Sequence, residues 1–258
     1  MSKGWESEVV KERSHRSLLL SSFLSMWALM AMAMYAQQPD FEPLFRQALE
    51  ERVRALGSMA AKTQESARDL SLYLAGRGEY TRAAAYLEQA LATSTSVEAA
   101  TVLHNWGVAI EPDDAVLAER LYRKALEIRV KRLPAWDVEL ATTRLNLAGL
   151  RLGRGEPEAA TLAQAALVAF ERNLGAMDAR TGAACGMVGA LLATKGDVAG
   201  SERMFRRALA IAEKAHGPQA GETANALENL GDLLEQTGRE LTARPLLERA
   251  KRIRAGAR

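Results

Sequence analysis

The chain is 258 residues long, 48% apolar and 26% charged, with 34 Lys and Arg set against 32 Asp and Glu. That apolar content excludes wholesale disorder, and a net charge of +2 removes the bulk electrostatic case for nucleic acid. A single cysteine, Cys185, excludes an intrachain disulfide framework and a zinc-finger ligand set.

The first segment differs from the rest. After Lys11, Arg13 and Arg16 comes an uncharged run from Ser17 to Pro39, whose apolar part is Leu18 to Ala36. A basic flank, an apolar stretch and small residues at its end fit a secretory signal peptide, with Ala31-Met32-Ala33 or Ala36 as the cleavage site. The competing expectation is a retained membrane anchor, since roughly 20 apolar residues span a bilayer. Residues 1–36 are therefore set apart from a second region, 37–258.

From Asp40 onward the dominant signal is repetition. The phrase Phe-Arg-Gln-Ala-Leu ends at Leu49, Leu-Glu-Gln-Ala-Leu at Leu91 and Tyr-Arg-Lys-Ala-Leu at Leu126. It returns as Ala-Gln-Ala-Ala-Leu ending at Leu167, Phe-Arg-Arg-Ala-Leu at Leu209 and Leu-Glu-Arg-Ala-Lys at Lys251. Its alanine falls at 48, 90, 125, 166, 208 and 250, at intervals of 42, 35, 41, 42 and 42. A half unit is predicted over 40–56, followed by five helix hairpins near 59–95, 97–131, 136–174, 178–215 and 219–256. Each copy opens with an apolar stripe at helical spacing, such as Leu227, Leu230, Gly231 and Leu234. A glycine (Gly78, Gly196, Gly238) then ends that first helix, because a helix terminus uses the left-handed conformation glycine tolerates. The second unit departs, with Glu111-Pro112-Asp113-Asp114 in place of the turn glycine. Small residues at one phase of the first helix (Ser71, Gly107, Ala148, Gly189, Gly231) allow close helix approach. Composition and period together predict an all-α chain of antiparallel hairpins.

This pattern of small and large positions resembles the tetratricopeptide repeat. The 42-residue interval and phrases such as Leu145-Asn-Leu-Ala-Gly-Leu150 are similar to the kinesin-light-chain subclass. The resemblance covers about residues 40–256 and implies a right-handed α-solenoid superhelix, with the first helix of each pair on the concave wall. It also implies a peptide or partner helix lying along that wall, gripped by asparagines ahead of the small residue. Asn105, Asn146 and Asn229 hold that phase here, while Asp69 and Met187 interrupt it. Arg68, His104, Glu228 and Asp232 complete the candidate partner-binding set. Gly149, Gly153, Gly186 and Ala190 would leave the middle of the groove shallow and apolar. An amide that both donates and accepts suits capture of a peptide backbone.

The search for chemistry finds no phosphate loop, no H-E-x-x-H pair and no nucleophile elbow. His15, His104 and His216 are far apart in sequence, and Cys185 and Trp106 fall at core positions. Trp136, in the corner Leu133-Pro-Ala-Trp-Asp137, is read as packing between hairpins or anchoring a partner. No catalytic residue, metal or cofactor is expected. The sequence therefore points to a non-enzymatic interaction scaffold, monomeric and exported or envelope-associated, that binds a protein or peptide but no nucleic acid. It would meet the membrane only through residues 18–36. A regulatory or accessory subunit of an envelope enzyme or kinase complex, and a self-assembling structural protein, are the competing readings.

Overall fold

The computed structural model describes residues 40–58 and 61–256. The leader Leu18–Ala36 and its cleavage sites lie outside the described residues. The chain divides into two compact units, Met1–Ala48 and Leu49–Arg258, and the division falls inside the first described helix, α1 (Glu42–Leu56). In the first unit Asp40 Oδ1 accepts from Glu42 N at 3.1 Å, closing the start of α1. Arg46 pairs with Glu42 one turn back.

In the second unit five antiparallel hairpins follow the end of α1. They are α2 (Ala61–Gly76) with α3 (Tyr80–Ala90), α4 (Val97–Ile110) with α5 (Ala115–Arg132), and α6 (Val138–Gly153) with α7 (Glu158–Leu174). Next come α8 (Ala179–Thr194) with α9 (Val198–His216), and α10 (Gly221–Gln236) with α11 (Glu240–Gly256). Every described element is a helix, and each hairpin packs on the next. The architecture is an all-α solenoid.

The turns within hairpins show why the glycines recur. At Gly78, Gly155, Gly196 and Gly238 the backbone takes φ of 81°, 69°, 78° and 75°. Each turn then closes the preceding helix with the same two bonds. In the fourth hairpin Asp197 N donates to Leu192 O at 3.0 Å and Gly196 N to Ala193 O at 2.9 Å. Together they satisfy carbonyls that have no partner within the helix. The second hairpin turns without a left-handed residue. Asp113 N and Asp114 N both donate to Ile110 O, at 3.0 and 2.8 Å, and the Asp114 carboxylate then caps α5 by accepting from Val116 N and Leu117 N. The carboxylate cap replaces what a glycine supplies elsewhere.

Within each hairpin, the small residue of the first helix receives the residue three positions before the repeated alanine of the second. A methyl group added to Gly107 would stand 2.7 Å from the Tyr122 ring, one on Gly189 2.8 Å from Phe205, and one on Gly231 2.6 Å from Leu247. The third hairpin fills the same two positions with Ala148 and Ala163, both buried. Cys185 is fully buried in the core between α7, α8 and α9, and burial pushes its thiol above its ordinary range. Trp106 is partly buried against the second hairpin's core and meets Tyr80 edge-on with ring centres 6.3 Å apart.

Candidate functional site

Two asparagines of the first-helix series stand open. Asn105 on α4 and Asn229 on α10 are exposed, and neither side-chain amide hydrogen-bonds another described residue. Asn146 on α6 is half-buried and lies beside the Tyr122 phenol. That phenol donates to Glu111 Oε2 at 2.7 Å.

The wall is hollowed between α8 and α10. A cavity of about 360 Å³ is lined by Gly186, Met187 and Ala190 from α8, with Asn225 and Asn229 from α10. It is the shallow apolar middle the small residues imply, except that it lies one hairpin further on than Gly149 and Gly153. Met187 leans back over Gly149, its methyl 3.3 Å from where a side chain there would begin.

The other candidates divide. Arg68 is exposed, 3.8 Å from Glu65 and 3.7 Å from Asp69, so the basic and acidic candidates at that end neutralise each other. Asp232 is exposed and has no partner among the described residues. Glu228 accepts a two-pronged contact from Arg254 of α11 at 2.7 and 2.6 Å. It therefore belongs to the packing of the last hairpin rather than to a free groove wall.

His104 does not line the groove. It is only 6% exposed, tilted against Tyr122 with ring centres 5.4 Å apart and 3.3 Å from Thr143 Oγ1. Its place is the interface between the second and third hairpins. The reason is rotation: one residue turns a helix by about 100°, so the neighbour of an exposed asparagine points into the stack. Burial, then the nearby Arg129 guanidinium, pushes its pKa down to about 4.

Arg129 is the centre of a buried polar cluster that the sequence reading misses. Its side chain is fully buried. It donates to Glu139 O at 2.7 Å, to Thr143 Oγ1, and to Thr101 Oγ1 at 3.1 Å, with Glu139 Oε2 at 3.2 Å. Only its Nε has no partner. A buried charge needs this many acceptors to offset its lost hydration. Arg129 sits in a helix-ending basic run with Lys131 and Arg132, a pattern that in sequence is the same as that of ordinary solvated charge.

A second, larger hollow runs along α7. About 790 Å³ in volume, it is lined by the corner residues Ala135 and Trp136, by Arg144 of α6, by α7 and by the last turns of α8. Trp136 is 43% exposed there, with the Arg172 guanidinium 3.9 Å above its ring. Asn173 Nδ2 donates to its carbonyl. Among the described residues no cluster of His, Cys, Asp and Glu is arranged to hold a metal.

Comparison with known proteins agrees with this geometry. Models of the tetratricopeptide repeat match residues 63–97 and 182–255. The fold is similar to BtubC (BKLC) from P. vanneervenii, at 22% identity and a TM-score of 0.61, covering 84% of this chain and 90% of that one. It is also similar to a Podosopora anserina kinesin light chain with nearly identical TPR-like repeats, at 18% identity and a TM-score of 0.57, covering 78% and 99%. MamA from Desulfovibrio magneticus RS-1 matches at 16% identity and a TM-score of 0.54, covering 75% and 96%. No curated protein sequence matches the chain. The fold is that of a protein-interaction scaffold. Residues 63–97 and 182–255 are tetratricopeptide repeats.

Proposed function

We propose that this protein is a non-enzymatic scaffold that binds a peptide or partner helix along its first-helix wall, in an exported or envelope-associated setting. The observation that carries the reading is the pair of exposed amides, Asn105 and Asn229, held at one phase of the repeat without internal partners. Left free, each amide can meet a peptide bond with both a donor and an acceptor. The cavity beside Asn229 adds an apolar seat for one side chain of the bound segment. The envelope setting rests on the uncharged stretch Leu18–Ala36 behind its basic flank.

The test is affinity capture from envelope and cytosolic fractions, comparing the wild type with an Asn105→Ala, Asn229→Ala double variant. A partner enriched by the wild type and lost at least about tenfold with the variant supports the groove, since two lost hydrogen bonds of about 1 kcal/mol each reduce binding by that order. An unchanged partner set overturns it. N-terminal sequencing of the protein recovered from each fraction tests the envelope assignment separately.

A further inference from the structure

The hollow along α7 includes a position at which a contact of the later hairpins is missing. In the fourth and fifth hairpins the residue before the repeated alanine is an arginine, Arg207 or Arg249. Arg207 reaches Glu171 on the preceding second helix and donates to the corner carbonyl of Ala176 at 3.3 Å. Arg249 does the same with Glu213, and with Pro218 O at 3.0 Å. In the third hairpin that position is Ala165, and the position facing it, where Glu171 and Glu213 stand in later copies, is Val130.

The corner carbonyl is satisfied all the same, by an arginine from a different helix. Arg144 on α6 donates to Ala135 O at 2.8 Å. The relocated arginine gains the carbonyl but no carboxylate. Arg172 and Lys195 on the same rim also lack an acidic partner among the described residues, and no Asp or Glu lines the hollow. Between these cations the walls are mostly apolar, with Ala165, Leu192 and Val168, the last 54% exposed, beside the neutral Thr161 and Gln164.

The cations stand at the two ends. Arg172 and Trp136 lie where α7 finishes, and Lys195 lies with Ala160 where α7 begins. Residues 160–172 of a helix span about 18 Å. A single-headed amphiphile would match one end only. An extended peptide would bring backbone groups to walls whose own backbone bonds are spent inside helices. A helix satisfies its backbone internally and reaches 18 Å in about three turns.

We propose that this hollow is a second docking site, for a helix of a partner protein bearing an apolar stripe about three turns long and a carboxylate near each end. One carboxylate meets Arg144 and Arg172 beside Trp136, the other meets Lys195, and the stripe covers Ala165, Val168 and Leu192. Arg144 lies two residues, and so about 200° of helix rotation, from Asn146. The site therefore faces away from the asparagine wall and can be filled at the same time.

The test uses the full chain and two sets of labelled, stapled three-turn helices whose stripes vary among Ala, Val, Leu and Met. One set ends in Glu and the other in Lys, and binding is read by fluorescence anisotropy. The expected result is at least a tenfold preference for Glu-ended helices, weakening with salt and reversed in an Arg172→Glu, Lys195→Glu double variant. Both substituted residues are exposed, and circular dichroism checks that the variant keeps its helices. Quenching of tryptophan fluorescence by the bound helix should vanish in Trp136→Phe. Equal binding of both sets, no binding by either, or a preference the double variant leaves unchanged overturns the proposal. Dodecanoate binding here without Glu-ended helix binding overturns it in favour of an amphiphile site. The Asn105→Ala, Asn229→Ala variant should bind these helices like the wild type, which keeps this outcome separate from that of the groove.

Discussion

Acidification should weaken the interface between the second and third hairpins through one side chain. His104 is buried beside Arg129 and Tyr122, with its pKa pushed down to about 4 from an ordinary value near 6.5. Because the folded value lies below the unfolded one, the stabilisation is complete above about pH 6.5. It is lost as pH falls towards 4, while the unfolded chain takes up a proton that the folded chain refuses. A shift of about 2.5 units at roughly 1.4 kcal/mol each corresponds to about 3 kcal/mol. Carboxylates held low by ion pairs, such as Glu202 and Glu228, also lose stabilisation in acid, so the wild type alone is a poor measure. The comparison is with His104→Asn, whose amide does not titrate and still offers polar atoms to Thr143. Urea unfolding followed at 222 nm should show the wild type losing about 3 kcal/mol more than the variant between pH 7 and pH 4. Parallel pH dependence in the two proteins would refute the buried neutral imidazole.

Three further outcomes test the packing. Gly107→Ala places a methyl group 2.7 Å from the Tyr122 ring and should destabilise by about 1–3 kcal/mol. Gly186→Ala meets nothing within 4 Å and should be neutral or stabilising by up to about 1 kcal/mol, both read by thermal melting. Cys185, buried with its thiol held protonated, should resist alkylation at pH 8 in the native protein and react within minutes in urea. Rapid native labelling would show that the fourth hairpin opens far more readily than its packing implies.

The fold was readable because a solenoid writes each contact several times. One copy of Phe-Arg-Arg-Ala-Leu says little, but six at near-constant spacing set helix phase, turn position and the small-to-large pairing of Gly189 with Phe205. What repetition could not reveal is what happens once. Arg52, four residues past its own repeated alanine as Arg129 is, makes the same two bonds, to Lys62 O and Ser66 Oγ, but only Arg129 adds Thr101, the Glu139 carboxylate and full burial. The sequence sets His104 among the groove-lining candidates, and one residue of helix rotation from Asn105 is enough to bury it. The hollow along α7 left a trace of the opposite kind. Ala165 breaks a phase that carries a polar side chain in the other copies, Gln47, Gln89, Lys124, Arg207 and Arg249, and a position-by-position comparison of the copies would have marked it.

The cluster around Arg129 also bears on how the chain is made. Thr101, His104 and Arg129 belong to the second hairpin, while Glu139 and Thr143 belong to the third. During synthesis from the N-terminus the guanidinium emerges before most of its acceptors. The second hairpin must keep that charge in water until α6 leaves the ribosome. Docking of the third hairpin is then what closes the cluster, and a neighbour stacked one turn out of register would bury the cation without Glu139. A stack misaligned at this interface would leave the buried cation short of acceptors, which carries a large desolvation cost.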